Sequence, residues 1–379
     1  MRTRSGRKSW AVASRLFAVL AISGALWLGC TDRSEVPVAP QSDTIDKAAP
    51  ADDQLLSLRN ARVLEVAAVQ ERHTPVLMSR DQVVGTAIGV SENGTLVVKV
   101  YTKEPLLGHE VPESLDGVPV EVEVTGEFRA MRAGGGVSHT AKQTPPIQLG
   151  TSGGWRYDLA NGYCCGGTLG SLVLKGGTQY VLSNYHVLEA DIVNGGNSRV
   201  AQAGDPVIQP GLIDVACNAA NAQNVATLSG IKSLPGSNVD AAIAAVIPGM
   251  VRTDGAILEI GTISSQTVAA SIGQLVKKSG RTTALTRSKV SGLNATVSVS
   301  YENECAGGAA FTKTFTGQIV IANKASKFLA GGDSGSLMVE DVTTNPRAVG
   351  LLFAGSSTSA IANPIGQVLS FLGASMVGN

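Results

Sequence analysis

Gly331-Gly332-Asp333-Ser334-Gly335-Ser336, running into the apolar stretch Leu337-Met338-Val339, is the segment on which the reading of this chain turns. A serine is a weak nucleophile until a neighbouring base takes its proton and backbone N–H groups receive the charge that develops on the attacked oxygen. Glycines beside the serine suit that second need. They let the chain turn sharply and put no Cβ between the amides and a substrate. The serine does not lie in G-x-S-x-G, which disfavours the strand-to-helix elbow of the α/β-hydrolases. The segment therefore asks for a histidine and a buried aspartate elsewhere in the chain.

One candidate of each stands out. Leu182-Ser183-Asn184-Tyr185-His186-Val187-Leu188 places a histidine at the end of a strand-like run, and Val239-Asp240-Ala241-Ala242-Ile243-Ala244 places an acid at the head of another. Asp205 and Asp214 compete for the acid role, but they sit in Gly/Pro/Asn-rich sequence without such a run behind them. His186, Asp240 and Ser334 occur in the order His, Asp, Ser, which is the chymotrypsin order and not that of subtilisin or the α/β-hydrolases.

From Trp155 to Leu372 the chain resembles the trypsin-like serine peptidases, and within them a bacterial and plant branch. The motifs are Gly167-Thr168-Leu169-Gly170, Leu182 to Leu188, Val239 to Ala244, Gly280-Arg281-Thr282-Thr283, Gly332 to Ser336, and Val349 to Gly355. Tyr185 departs from the branch, which has a second Asn before the histidine. The resemblance implies a mainly β fold, a chymotrypsin-like double β-barrel with the active site between the barrels. It implies peptide-bond hydrolysis through an acyl-enzyme, with His186 as base, Asp240 holding the imidazole, Ser334 as nucleophile and the backbone N–H groups of Gly332 and Ser334 as the oxyanion hole. Asp333 is then expected to be buried and paired, helping to set the oxyanion loop. Phe328, six positions before the nucleophile, falls at the base of the primary specificity pocket and Gly355 in its wall. An apolar base gives a Lys or Arg head group no counter-charge, so apolar or small substrate residues are expected. No cofactor or metal is called for. The competing reading is an inactive trypsin-like binding or scaffold lipoprotein.

Composition agrees with a β protein that leaves the cytoplasm. Short β-branched runs such as Ala295–Ser300 and Gln318–Ile321 alternate with Gly, Asn and Ser. The formal charge of zero, from 30 basic and 30 acidic residues, hides an asymmetry: residues 1–29 carry Arg2, Arg4, Arg7, Lys8 and Arg15 and no acid. No basic stripe is interleaved with aromatics, so nothing points to nucleic acid. The basic start followed by Leu16 to Leu28 reads as an export signal over 1–29, too short for a comfortable membrane span. It ends in Leu26-Trp27-Leu28-Gly29-Cys30, which resembles a bacterial lipobox. Cys30 would then carry lipid, and residues 30–52 would tether the protein to a bacterial membrane; ordinary signal cleavage and secretion is the alternative. The remaining cysteines, Cys164, Cys165, Cys217 and Cys305, are even in number in an exported chain. They suggest two disulfides, each joining one of the adjacent pair to one of the distant pair. Metal-ligand spacing is lacking among these cysteines and His73, His109 and His139.

Residues 53–130 read as a separate small α+β domain. Leu55 to Met78 has apolar residues at helical spacing up to Pro75, and Val83–Val90 and Thr95–Tyr101 flank Glu92-Asn93-Gly94, a hairpin signal. Val118–Val124 adds a third strand. This unit has three candidate roles: propeptide, recognition domain or spacer. Residues 131–154, rich in Gly, Thr, Ser and Pro, read as a linker to a peptidase domain over 155–379.

Overall fold

The computed structural model describes residues 55–106, 111–130, 138–160, 163–189, 199–301, 310–324 and 327–379. The segments expected to be an export signal and a tether with Cys30, and Cys305, lie outside these residues. Among the described residues no helix is long and apolar enough to cross a membrane.

The chain opens with α1 (Ala61–Met78). Asn60 caps it, its side chain accepting from the N–H groups of Arg62 and Val63 at 3.0 and 3.3 Å, which satisfies donors the first turn leaves over. Val63, Val66, Ala67, Gln70 and Leu77 form the buried stripe. Pro75 does not end the helix as the sequence suggests; it falls in the last turn, where little helix remains to be disrupted. Below α1 run β1 (Val83–Val90) and β2 (Leu96–Thr102), paired antiparallel around the expected turn, where Gly94 has φ 83°. Then come β3 (Ser114–Leu115), β4 (Val118–Val124), parallel to β2, and β5 (Phe128–Ala130).

The next sheet has eight strands. They are β6 (Thr151–Trp155), β9 (Gly167–Leu169), β10 (Ser171–Lys175), β11 (Thr178–Ser183), β12 (Pro206–Gln209), β13 (Gln223–Leu228), β14 (Ala242–Val246) and β21 (Ser375–Met376), in the order β21-β10-β11-β14-β13-β12-β6-β9. β7 (Leu159–Ala160) and β8 (Tyr163–Cys164) pair antiparallel as a separate two-stranded sheet, and a single helical turn, α2 (Tyr185–Leu188), follows β11. Part of the stretch expected as linker is integral to this half: Ile147 and Leu149 are fully buried and Thr151–Trp155 is a sheet strand.

The last part comprises β15 (Leu275–Gly280), β16 (Ala284–Tyr301), β17 (Phe311–Ala322), β18 (Leu337–Glu340), β19 (Ala348–Gly355), β20 (Ser359–Pro364) and α3 (Ile365–Leu372). Pairings run β15-β18-β19-β20-β17-β16 and back to β15, a closed ring of six strands. Closure removes the exposed edges a sheet otherwise presents. The α+β layer is joined to this ring through β1, whose Gly85 and Thr86 pair with Val297 and Thr296 of β16. The fold is thus strand-dominated, with a small helix-and-sheet layer in front. One core cluster runs through both sheets and includes Trp155, Leu182, Ile243, Tyr301, Phe315 and Phe353.

Candidate active site

His186 and Asp240 are brought together by strand register. β11 and β14 pair antiparallel with Ser183 opposite Ala242. The turn that follows Ser183 therefore lies beside the residues that precede Ala242. Asn184 fastens the two segments, its Nδ2 donating to the Asp240 carbonyl at 2.7 Å. The Asp240 carboxylate is fully buried and wholly engaged. Oδ1 accepts the backbone N–H groups of Tyr185 (2.8 Å) and His186 (3.2 Å). Oδ2 accepts His186 Nδ1–H at 2.5 Å and the Tyr301 hydroxyl at 2.9 Å. Because the carboxylate only accepts, the proton between them belongs to Nδ1, and the imidazole lone pair is on Nε2. Asp240 N–H donates to Asn363 Oδ1 on β20 (2.9 Å), which ties this half of the molecule to the ring.

Tyr185 hydrogen-bonds to Asp240 through its backbone N–H. Burial, with Glu189 nearby, pushes its phenol above the ordinary range.

Ser334 belongs to the other half. Its Oγ donates to the Phe353 carbonyl on β19 at 3.3 Å. Its own carbonyl accepts Thr168 N–H at 2.8 Å, and the Gly332 carbonyl accepts the Thr168 hydroxyl at 2.8 Å. Ser183, at the head of the histidine turn, donates its hydroxyl to the Thr168 carbonyl at 2.6 Å. Thr168 therefore sits between the serine loop and the histidine turn and bonds to both. Gly167 shows how close they are: a Cβ there would lie 2.9 Å from the Ser334 carbonyl oxygen and 2.6 Å from a methyl of Val187, the residue after His186. At Gly335 the backbone has φ 91° and a side chain would collide with Ser183 Oγ and the Thr168 carbonyl. Only glycine meets both conditions. Ser334, His186 and Asp240 are buried at 0, 1 and 0 % exposure.

The loop carrying Ser334 is held by Asp333, as expected, and its partners are now visible. Oδ1 accepts the N–H groups of Thr282 (2.9 Å) and Thr283 (3.1 Å), and Oδ2 accepts the Thr283 hydroxyl (2.7 Å) and Ala330 N–H (3.0 Å). The fully buried Lys278 ammonium stands 3.5 Å from Oδ2 and donates to the Ala284 carbonyl at 2.9 Å. Burial lowers the Lys278 pKa, and the charge of Asp333 offsets part of that. The Gly-Arg-Thr-Thr motif thus has two jobs. Its threonines hold Asp333. Arg281 forms a two-pronged pair with Asp214, one prong being Nε to Oδ2 at 2.6 Å.

That pair engages Asp214, one of the two competing candidates for the acid. Asp205 is likewise committed, accepting Trp155 Nε1–H at 3.0 Å. Phe328 is fully buried and packs with Val276, Met338 and Leu352. Gly355 pairs with Arg129 of β5. Asn323 links the two stretches, donating to the Leu329 and Ser356 carbonyls at 3.2 and 2.9 Å. Cys164 is bridged to Cys217 with Cα atoms 5.5 Å apart. Cys165 is also in a disulfide, its partner outside the described residues. His139 pairs with Glu259 at 2.7 Å, and among the described residues no group of His, Cys, Asp and Glu is arranged to hold a metal.

Sequence reasoning missed Lys278 and Tyr301. Lys278 had a signal: a lysine in a β-like run, three residues before Arg281. Tyr301 had none, because only the folded hairpin brings it to Asp240.

Residues 238–363 match the family model described as the Nal1 C-terminal domain. None of the curated proteins matches the chain. Among solved structures, a glutamic acid-specific serine protease, whose structure is described as using a histidine triad in substrate binding, is 21 % identical. The match covers 61 % of this chain and 100 % of that one with a TM-score of 0.40. Protease A of Thermobifida fusca is 19 % identical over 62 % of this chain and 99 % of its own, TM-score 0.41. A Cellulomonas bogoriensis chymotrypsin is 19 % identical over 62 and 99 %, TM-score 0.37.

Proposed function

We propose that this protein is an exported serine endopeptidase with a chymotrypsin-like double β-barrel, working through His186, Asp240 and Ser334. The observation that carries the reading is the His186 Nδ1–Asp240 bond at 2.5 Å beside a serine loop that Thr168 bonds to the histidine turn. In this reading His186 Nε2 takes the Ser334 proton as Oγ attacks a peptide carbonyl. Asp240 stabilises the imidazolium, and the N–H groups of Gly332 and Ser334 bind the oxyanion. His186 then returns the proton to the leaving amine, and water hydrolyses the acyl-enzyme. Phe328 and Gly355 favour an apolar or small residue at the cleaved position, and Cys30 anchors the exported protein to a bacterial membrane through lipid.

The α+β layer takes the propeptide role. β5 lies between β16 and β19: Ala130 and Arg129 pair antiparallel with Ala354 and Gly355, and Phe128 and Arg129 pair parallel with Val299 and Ser300. Ala354 directly follows Phe353, whose carbonyl receives Ser334 Oγ. A peptide that presents its carbonyl to Ser334 can add to this strand edge, and β5 already fills it. The buried nucleophile and base accord with a cleft closed from within.

The deciding experiment is labelling of the exported protein with a fluorophosphonate, together with mass determination of its amino terminus. Labelling at Ser334, its loss with peptidase activity in Ser334→Ala (about four to six orders of magnitude in turnover), and an amino terminus within 131–137 are expected. A protein with its amino terminus within 131–137 that never labels, and a Ser334→Ala protein as active as wild type, are the results that would sink the reading. The first would favour a binding or scaffold lipoprotein.

A further inference from the structure

Tyr301 ends β16, the longest strand, and its hydroxyl reaches 2.9 Å from Asp240 Oδ2, the same oxygen that accepts His186 Nδ1–H. The placement is heavily built. The ring is 2 % exposed. It stacks on Phe311, its partner across the hairpin, with centroids 4.9 Å apart and planes 6° from parallel. Its edge contact with the His186 ring spans 5.8 Å at 68°. β5 pairs with Val299 and Ser300 immediately before it. A buried phenol needs a hydrogen-bond partner, and the hairpin delivers this one to a carboxylate at 0 % exposure.

We infer that Tyr301 is a positioning residue for catalysis, acting through Asp240. This rests on the triad reading above. The two backbone N–H groups on Oδ1 fix one end of the carboxylate, and Tyr301 fixes the other. With both ends held, the plane that receives Nδ1–H cannot swing, and the imidazole keeps one tautomer and one orientation. The hydroxyl has a second consequence. Donating to Oδ2, it withdraws charge from the oxygen that supports the imidazolium. Removing it leaves Oδ2 more basic and the imidazolium better stabilised at rest, in a geometry that is less well defined. Turnover falls while the protonated histidine persists to higher pH.

The pairing also gives the long hairpin a chemical role. β16 is anchored by β1 and β5 on one side and β17 on the other, so the segment that fills the substrate edge also steadies the residue that orients Asp240.

Tyr301→Phe keeps the ring, its stacking and its edge contact and removes only the hydroxyl. In the exported protein, kcat on a peptide substrate is expected to fall about 10-fold with KM unchanged. The acid limb of kcat/KM moves to higher pH, and the downfield proton resonance of His186 Nδ1–H shifts relative to wild type. Ser334→Ala is measured beside it: if that variant keeps wild-type activity, the triad reading itself has failed. With Ser334→Ala inactive, a Tyr301→Phe protein whose pH profile and Nδ1–H resonance match wild type overturns the inference, whatever its melting temperature does. A purely structural tyrosine would lower stability and leave both signatures in place.

Discussion

Asp240 and Asp333 are both buried, both saturated with donors, and held in opposite ways. Asp240 is surrounded by two backbone N–H groups, a phenol and the His186 ring N–H, with no resident Lys or Arg. Asp333 is surrounded by three backbone N–H groups and a hydroxyl, with the Lys278 ammonium beside them. A carboxylate neutralised by a resident cation has little reason to attract a proton to its neighbours; it serves as a fixed strut. A carboxylate solvated only by dipoles keeps its charge available for a cation that arrives later, here a proton on His186. Under the proposed mechanism the difference separates two duties: Asp333 shapes the serine loop permanently, whereas Asp240 would respond within each turnover.

The largest effect expected from this contrast is on activity. Asp240→Asn should lower kcat about 10⁴-fold, because an amide in that place disturbs the tautomer and orientation of His186. Its melting temperature should change less than that of Asp333→Asn. Steady-state kinetics and thermal unfolding on the same preparations decide it. An Asp240→Asn enzyme within tenfold of wild type would leave Asp240 as a merely structural group.

Asp333→Asn should act next most strongly, and on stability. It leaves the Lys278 ammonium buried without its counter-charge, a loss of about 3–5 kcal/mol in the unfolding free energy. Adding Lys278→Met should restore part of that loss, since no unpaired charge remains. Chemical denaturation of the two single variants and the double variant gives the coupling directly. If the losses simply add, Lys278 and Asp333 are not an energetic pair, and the contrast with Asp240 loses one of its sides.

How much of this was legible beforehand follows from how far apart the partners lie in sequence. The serine loop, the histidine turn and the head of the Asp240 strand read clearly because each is a local pattern of glycines or of a short apolar run. The layer's helix and hairpin were legible for the same reason, from apolar spacing and Asn93-Gly94, although the helix starts at Ala61, after the Asn60 cap, and not near Leu55. Tyr301 was not legible, because its contact with Asp240 depends on the register of an 18-residue strand. Nor was β5 legible. Three residues, Phe128-Arg129-Ala130, carry no periodicity, and their place between β16 and β19 is fixed by tertiary pairing alone. The span 138–154 looked like a linker because Gly, Pro and Thr dominate it; Ile147 and Leu149 are too few to signal that it is buried.

Glu189 supplies the smallest test and the third case, a buried carboxyl with neither arrangement. It lies four residues after Tyr185, at the end of the histidine turn, and is 1 % exposed. Its oxygens lack a close hydrogen bond among the described residues, and the donors that interact with it are the Tyr185 hydroxyl and the Lys232 ammonium. Burial raises its pKa to about 7. Tyr185 and Lys232 close by lower it only in part, and Asp205 raises it slightly. The folded chain therefore binds this proton more tightly than the unfolded one, whose carboxyl titrates near its ordinary value of 4.5. Below that value both states are protonated and the group is neutral toward folding. Between about 4.5 and 7 the unfolded state has shed the proton and the folded state keeps it, so stability falls as pH rises. Above 7 both are ionised and the full penalty stands. Glu189→Gln removes the titration. Near pH 4 the variant and wild type should unfold with nearly equal free energies, and at pH 8 the variant should be the more stable by on the order of 2–3 kcal/mol. Urea denaturation at the two pH values measures the gap. A gap that does not change between them would mean that Glu189 is paired as firmly as Asp240 or Asp333, and the three carboxyls would no longer form a series.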